Sequence, residues 1–133
     1  HSLSKFREWN KNGKEMYSYD EMMCYSKNLL REWVYSGVYL PTSNENFEVM
    51  IYTGLKDCIR KEIYEGDIVS YILSFEEFIG EVKFEEGFFV IDNEMLGENV
   101  GLFHEIAVVK VIGNIYENPE MLEKIRKPKV LED

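Results

Sequence analysis

The chain is poor in the residues that most often build metal and redox chemistry: its 133 residues include two cysteines and two histidines. Cys24 and Cys58 lie far apart, with no CxxC spacing and no histidine near either, so neither a zinc ligand set nor a thiol redox pair is encoded locally. Both read as buried free thiols that act as small hydrophobes. His1-Ser2-Leu3 reads as an expression remnant and is set aside, leaving His104 as the histidine to weigh. A metal hydrolase needs several ligands in one constellation, and His104-Glu105 is the one histidine–carboxylate pair; a hydrogen-bonded loop histidine is the simpler reading.

Other signatures are missing too. No Walker loop, GxGxxG or HExxH occurs, and no local signature sets an activating base beside a serine or cysteine. No apolar run approaches the about 20 residues that span a bilayer. The opening also lacks the charged-then-apolar order of a signal peptide. A soluble cytoplasmic protein with no membrane partner is therefore expected.

Basic charge is scarce where acid is dense. The formal net charge is −10, with 6 basic and 7 acidic residues up to Met50, and 9 basic and 18 acidic residues from Ile51 onward. Glu76, Glu77, Glu81, Glu85, Glu86, Asp92, Glu94 and Glu98 are opposed within their stretch only by Lys83. Such a field repels phosphates, so direct nucleic-acid binding is disfavoured. Trp9, Tyr17, Tyr19, Phe88 and Phe89 could stack bases, but a stacking platform works with a basic groove, which this chain lacks. Lys124, Arg126, Lys127 and Lys129 form the one basic stretch and read as a helix-dipole complement and solvated tail. The carboxylates could collect a divalent cation; solvated strand edges that discourage edge pairing are the plainer reading.

What is present is ordinary globular material, 45% hydrophobic and 30% charged, enough for one main core. Leu3 to Trp9 alternates apolar with polar residues, Asn10 to Lys14 supplies turn chemistry, and Met16 to Tyr19 forms a second run, which together read as a β-hairpin. Asp20 can cap a following helix, where Met22, Leu29 and Trp33, with Met23, Leu30 and Val34, recur near helical period up to Gly37. Pro41 to Asn46 reads as a linker. Strands are expected over Phe47–Thr53, Asp67–Leu73, Phe78–Glu85, Phe88–Asp92 and Glu105–Tyr116. Glycines punctuate them, with bends or bulges at Gly54 and Gly113, and a hairpin at Glu85-Glu86-Gly87-Phe88 where Gly87 takes a positive φ. Gly66 marks a reversal, and Asp67 can bond nearby amides as turn aspartates do. Asn118 caps a short helix with Pro119 at its first position, and Lys124 to Asp133 reads as a frayed tail. The organisation expected is residues 1–46 as a hairpin plus helix, an association segment, and residues 47–133 as a small barrel with a short C-terminal helix.

Tyr52-Thr53-Gly54-Leu55-Lys56-Asp57 followed by Lys61-Glu62-Ile63-Tyr64-Glu65-Gly66-Asp67-Ile68-Val69 resembles the signature of the YopX family. Val111-Ile112-Gly113-Asn114-Ile115-Tyr116-Glu117-Asn118-Pro119-Glu120 and the opening Lys5-Phe6-Arg7-Glu8-Trp9-Asn10 extend the resemblance over nearly the whole chain, in the family's order. It implies a phage or prophage protein, mainly β (α+β), with an SH3-like roll or small barrel in the C-terminal part. It implies no activity, and no catalytic, cofactor or metal residues carry across. One departure is Cys58-Ile59-Arg60, where relatives have a glycine before the Lys-Glu pair; the tight turn expected there loses its usual residue.

The function expected is non-enzymatic: an accessory protein acting through protein–protein interaction or self-assembly, without cofactor, as a homo-oligomer or with a protein partner. Phe6, Trp9, Tyr25, Leu29, Leu30, Trp33 and Tyr35 are more apolar surface than a detached segment could bury alone. Two other classes stay open. One is a nucleic-acid-related role, as an acidic mimic or a small-barrel binder; the other is a metal-dependent enzyme.

Overall fold

The computed structural model describes residues 5–25, 43–102 and 108–128. The chain divides into two compact units between Tyr52 and Thr53, inside a strand and beyond the stretch read as a linker.

In the first unit, β1 (Phe6–Asn10) and β2 (Glu15–Tyr17) form the expected hairpin. Its turn is held by the Asn10 carboxamide, which accepts the amides of Asn12 and Gly13 at 3.0 Å each. The helix α1 (Tyr19–Tyr25) is capped by Ser18, not by Asp20. Ser18 Oγ accepts the Glu21 amide at 3.1 Å while Glu21 Oε1 accepts the Ser18 amide at 3.2 Å, so two orphan donors are satisfied reciprocally. Asp20 sits in the first turn, where its charge faces the positive end of the helix dipole. The expected run from Leu29 to Gly37 lies outside the described residues. The first half of β3 (Phe47–Lys56) pairs with β1, with Phe6 facing Ile51. Phe6 and Met22 are buried among Tyr17, Tyr19, Val49 and Ile51, and the Phe6 and Tyr19 rings meet edge to face at 5.4 Å. Trp9 is buried, so it is not the exposed platform weighed from the sequence.

The second unit is built on a five-stranded antiparallel sheet. Its strands are β5 (Asp67–Leu73), β6 (Glu76–Glu85), β7 (Phe88–Asn93), β8 (Glu98–Gly101) and β9 (Val109–Asn114), in the order β8-β7-β6-β5-β9, while β4 (Glu62–Tyr64) lies beside the far end of β3. Alternation sends Val69, Tyr71, Val82, Ile91 and Val111 to one face, where they bury with Ile63 and Leu102. The sheet curls into a half-barrel, and the fold is the mainly β, small-barrel α+β class expected. β4 and β8 are too short and too polar to stand out from the sequence.

The turns explain the curl. Gly66 has φ +89°, its amide donates to Val82 O and its carbonyl accepts from Ile115 N, so one reversal ties β6 and the end of β9 together. The Asp67 carboxylate, 1% exposed, accepts the Tyr64 amide at 2.7 Å, the turn role expected of it. Between Ile68/Gly113 and Val69/Val111 the register skips a residue, so Ile112 is the extra residue of a bulge beside Gly113, as anticipated. β9 stops at Asn114 rather than Tyr116 because the Asn114 carboxamide captures the amides of Tyr116 and Glu117 and turns the chain.

A 3-10 helix (Pro119–Lys124) follows. Asn118 makes no side-chain cap; its Oδ1 turns back and accepts the Asn114 amide at 3.1 Å. The chain beyond it does not fray where it is described. Ile125 is fully buried, its carbonyl accepts the amides of Glu94 and Met95, and Arg126 grips Glu81.

Candidate functional site

The β6–β7 hairpin carries the most distinctive surface of the second unit. Glu85 faces Phe88 across a two-residue turn in which Glu86 (φ +49°) and Gly87 (φ +87°) are both left-handed, the twist-matched hairpin geometry. The alternation that buries Val82 and Ile91 places Glu85, Phe88 and Val90 on the opposite face. Phe88 is left 68% exposed. Behind the turn Phe84, half-exposed, meets Phe89 edge to face at 4.8 Å. An open groove of about 710 Å³ runs here over Phe88, Val90 and Gly101, with Glu85, Glu86 and Asn99 at its rim. Asn99 Nδ2 reaches over β7 to donate to Glu85 Oε2 at 3.3 Å, a long bond between two exposed side chains at the groove rim.

The acidic stretch is less uniform than the sequence suggests. Glu81 is not a solvated edge residue: its side chain is 4% exposed and is clamped by Arg126, a cation from the far end of the chain. Lys83 is engaged by Asp92 at 2.9 Å and Glu94 at 3.7 Å. Burial opposes its charge, and the Asp92 bond with the charges of Glu81, Asp92 and Glu94 outweighs that, holding the Lys83 ammonium above its ordinary range. Glu76, Glu77 and Glu86 stay exposed. Among the described residues no group of three or more His, Cys, Asp or Glu is arranged to hold a metal ion. His104 and the Cys24 side chain lie outside the described residues. Cys58 is exposed, contrary to the buried thiol expected, because it sits in the surface turn built on Asp57.

That turn compensates for the missing glycine. Arg60 takes the left-handed conformation itself, with φ +69°, and its amide donates to Asp57 O at 2.9 Å. Asp57 Oδ1 accepts the amides of Ile59 and Lys61, and Oδ2 accepts Val111 N at 2.9 Å, which moors the turn to β9. Burial works against the Asp57 charge, but the amides of Val111, Lys61 and Ile59 and the Lys61 charge prevail and hold its carboxyl below the usual range. Asp57 and Asp67 are therefore structural carboxylates.

A feature no sequence signal announced lies at the other end of β6. Leu73 faces Glu76 across a turn whose central residues, Ser74 (φ +50°) and Phe75 (φ +68°), are both left-handed. Glycine or asparagine is the usual occupant of such positions. Here a phenylalanine holds one of them with its whole side chain in solvent.

A curled, mainly β fold with short glycine-marked reversals and acidic, aromatic-tipped hairpins defines a small-barrel α+β protein. The chain belongs to the family described as YopX protein, which matches residues 5–123. It is 27% identical over 137 residues to the SPbeta prophage-derived uncharacterized protein YopX of Bacillus subtilis (strain 168), covering 91% of this chain and 97% of that one. The crystal structure of protein yopX from Bacillus subtilis is similar at 26% identity with a TM-score of 0.59, covering 91% of this chain and 99% of the other. Protein EF1440 from Enterococcus faecalis, at 22% identity and a TM-score of 0.52 over 92% of this chain and 99% of its own, shares the fold. Among the described residues no helix is long and apolar enough to cross a membrane.

Proposed function

We propose that the protein is a non-enzymatic prophage accessory factor that works in the cytoplasm by binding another protein, with its hairpin tips as contact points. The observation that carries this reading is Phe75. A phenylalanine in the left-handed region costs about 1–2 kcal/mol, and here no burial of the ring offsets it. A strained, fully exposed aromatic is poor for the isolated fold and well suited to insertion into a partner's pocket, since aromatic anchors dominate interface energetics. Phe84 and Phe88 at the opposite tip of β6 add to the support.

The test is affinity capture from lysogenic cells with the parent and with Phe75→Gly and Phe88→Ser, alongside thermal melts of each. A binding protein loses its captured partner in one or both variants while the melting temperature holds or rises. Identical captures from all three would sink the reading.

A further inference from the structure

From the groove along β6, β7 and β8 we infer that the partner presents a basic, apolar-containing segment, with a lysine or arginine laid over Phe88 and its charge directed to Glu85 and Glu86. This rests on the interaction reading above and names the chemistry of one contact surface.

Three observations select this occupant. The groove has an apolar floor, Phe88, Val90 and Gly101, so it gives an approaching side chain surface to cover. Its rim is anionic with no cation among the described lining residues, and the nearest cation along β6, Lys83, is already engaged by Asp92 and Glu94. The left-handed turn at Glu86-Gly87 sets the backbone that carries both rim carboxylates, and Asn99 donates to Glu85 across the rim, so both charges are presented at the groove. An exposed phenylalanine face beside two carboxylates is a cation–π and ion-pairing site in one. The rim carboxylates disfavour nucleic acid and anionic lipid at this groove, and the net charge of −10 disfavours a second copy of this chain.

The test uses three fluorescein-labelled synthetic nine-residue peptides: alternating lysine and leucine, its glutamate-for-lysine counterpart, and a lysine–serine version. Binding is read by fluorescence anisotropy at low salt and mapped by amide chemical shifts on the full chain. The lysine–leucine peptide is expected to bind with shifts centred on residues 85–90, 99 and 101; the lysine–serine peptide is weaker and the glutamate peptide silent. Phe88→Ser should weaken binding about tenfold. Glu85→Gln combined with Glu86→Asn, the latter compatible with a positive φ, should weaken it similarly and flatten its salt dependence. Both variants alter exposed residues, and their melting temperatures report whether they fold. Equal binding by parent and variants, binding that maps elsewhere, or absence of binding by the lysine–leucine peptide overturns this inference. A partner captured through Phe75 would then leave the broader interaction reading standing, whereas identical captures from every variant would remove both.

Discussion

Arg126 closes on Glu81 with two parallel bonds, Nε to Oε1 at 2.9 Å and Nη2 to Oε2 at 2.7 Å, across 45 positions of sequence. The carboxylate is buried and the guanidinium is not, its side chain being 39% exposed. Removing the cation therefore strands a charge inside, whereas removing both partners does not. Arg126→Ala is expected to cost about 2–3 kcal/mol, and Arg126→Lys less, because lysine keeps the counter-charge and loses the planar fork. Glu81→Gln with Arg126→Ala should recover part of the loss. Urea denaturation of the three variants checks the order.

Gly80 has no room for a side chain. A Cβ there would sit 2.5 Å from Ile91 Cγ2 and 3.1 Å from the Asp92 carbonyl oxygen, one a buried branch atom and the other backbone. Gly80→Ala is expected to destabilise by about 2 kcal/mol or more, against the gain that glycine-to-alanine changes give at open strand positions. Thermal melts decide it.

The left-handed positions predict opposite signs. Gly66 needs its φ of +89°, so Gly66→Val should lose more than about 1 kcal/mol and lower the melting temperature of the second unit. Phe75 and Arg60 hold the same region without being glycine, and both are exposed. Phe75→Gly and Arg60→Gly should each stabilise by about 0.5 kcal/mol, the relieved strain exceeding the added chain entropy. Glu77→Gln, on an exposed carboxylate, should change stability by less than about 0.5 kcal/mol. Equal melting temperatures for parent and Gly66→Val would refute the turn argument.

Asp57 makes stability depend on acid. Its folded carboxyl lies below the unfolded value, so the folded state binds the proton less readily and gains stability above the unfolded pKa of about 3.9. That gain falls away as pH drops through the folded value. Asp57→Asn should cost about 1–3 kcal/mol at neutral pH, with the gap to the parent closing across that acid window. Glu8 has the opposite sign. Burial raises its carboxyl, so it costs stability as pH rises through the window above the unfolded value, and Glu8→Gln should remove that cost. Urea midpoints from pH 2 to 7 separate the two.

Local chemistry was legible and distant pairing was not. β5 was read at its true ends, Asp67 and Leu73, because alternation and a glycine turn bound it, and the Glu85–Phe88 hairpin announced itself through Gly87. The Ser18–Glu21 capping box is legible as a serine followed three residues later by glutamate, although Asp20 offers a competing cap. Nothing local ties Arg126 to Glu81, or Ile125 to the core, so a charged, proline-containing end read as a solvated tail. Ser74-Phe75 was missed because its residues contradict the turn they form. The groove was visible only as two acids and two phenylalanines; its floor needs β8, and β8 needs the tertiary sheet.

The seating of Ile125 and Arg126 has a temporal side. As the chain leaves the ribosome, the last strand of the second unit, ending at Asn114, emerges before Ile125 and Arg126, which seal it. Until residue 126 is out, the Glu81 carboxylate lacks its two-bond partner and the site of Ile125 lies open. In chain order, then, the last described turn completes this unit rather than starting it.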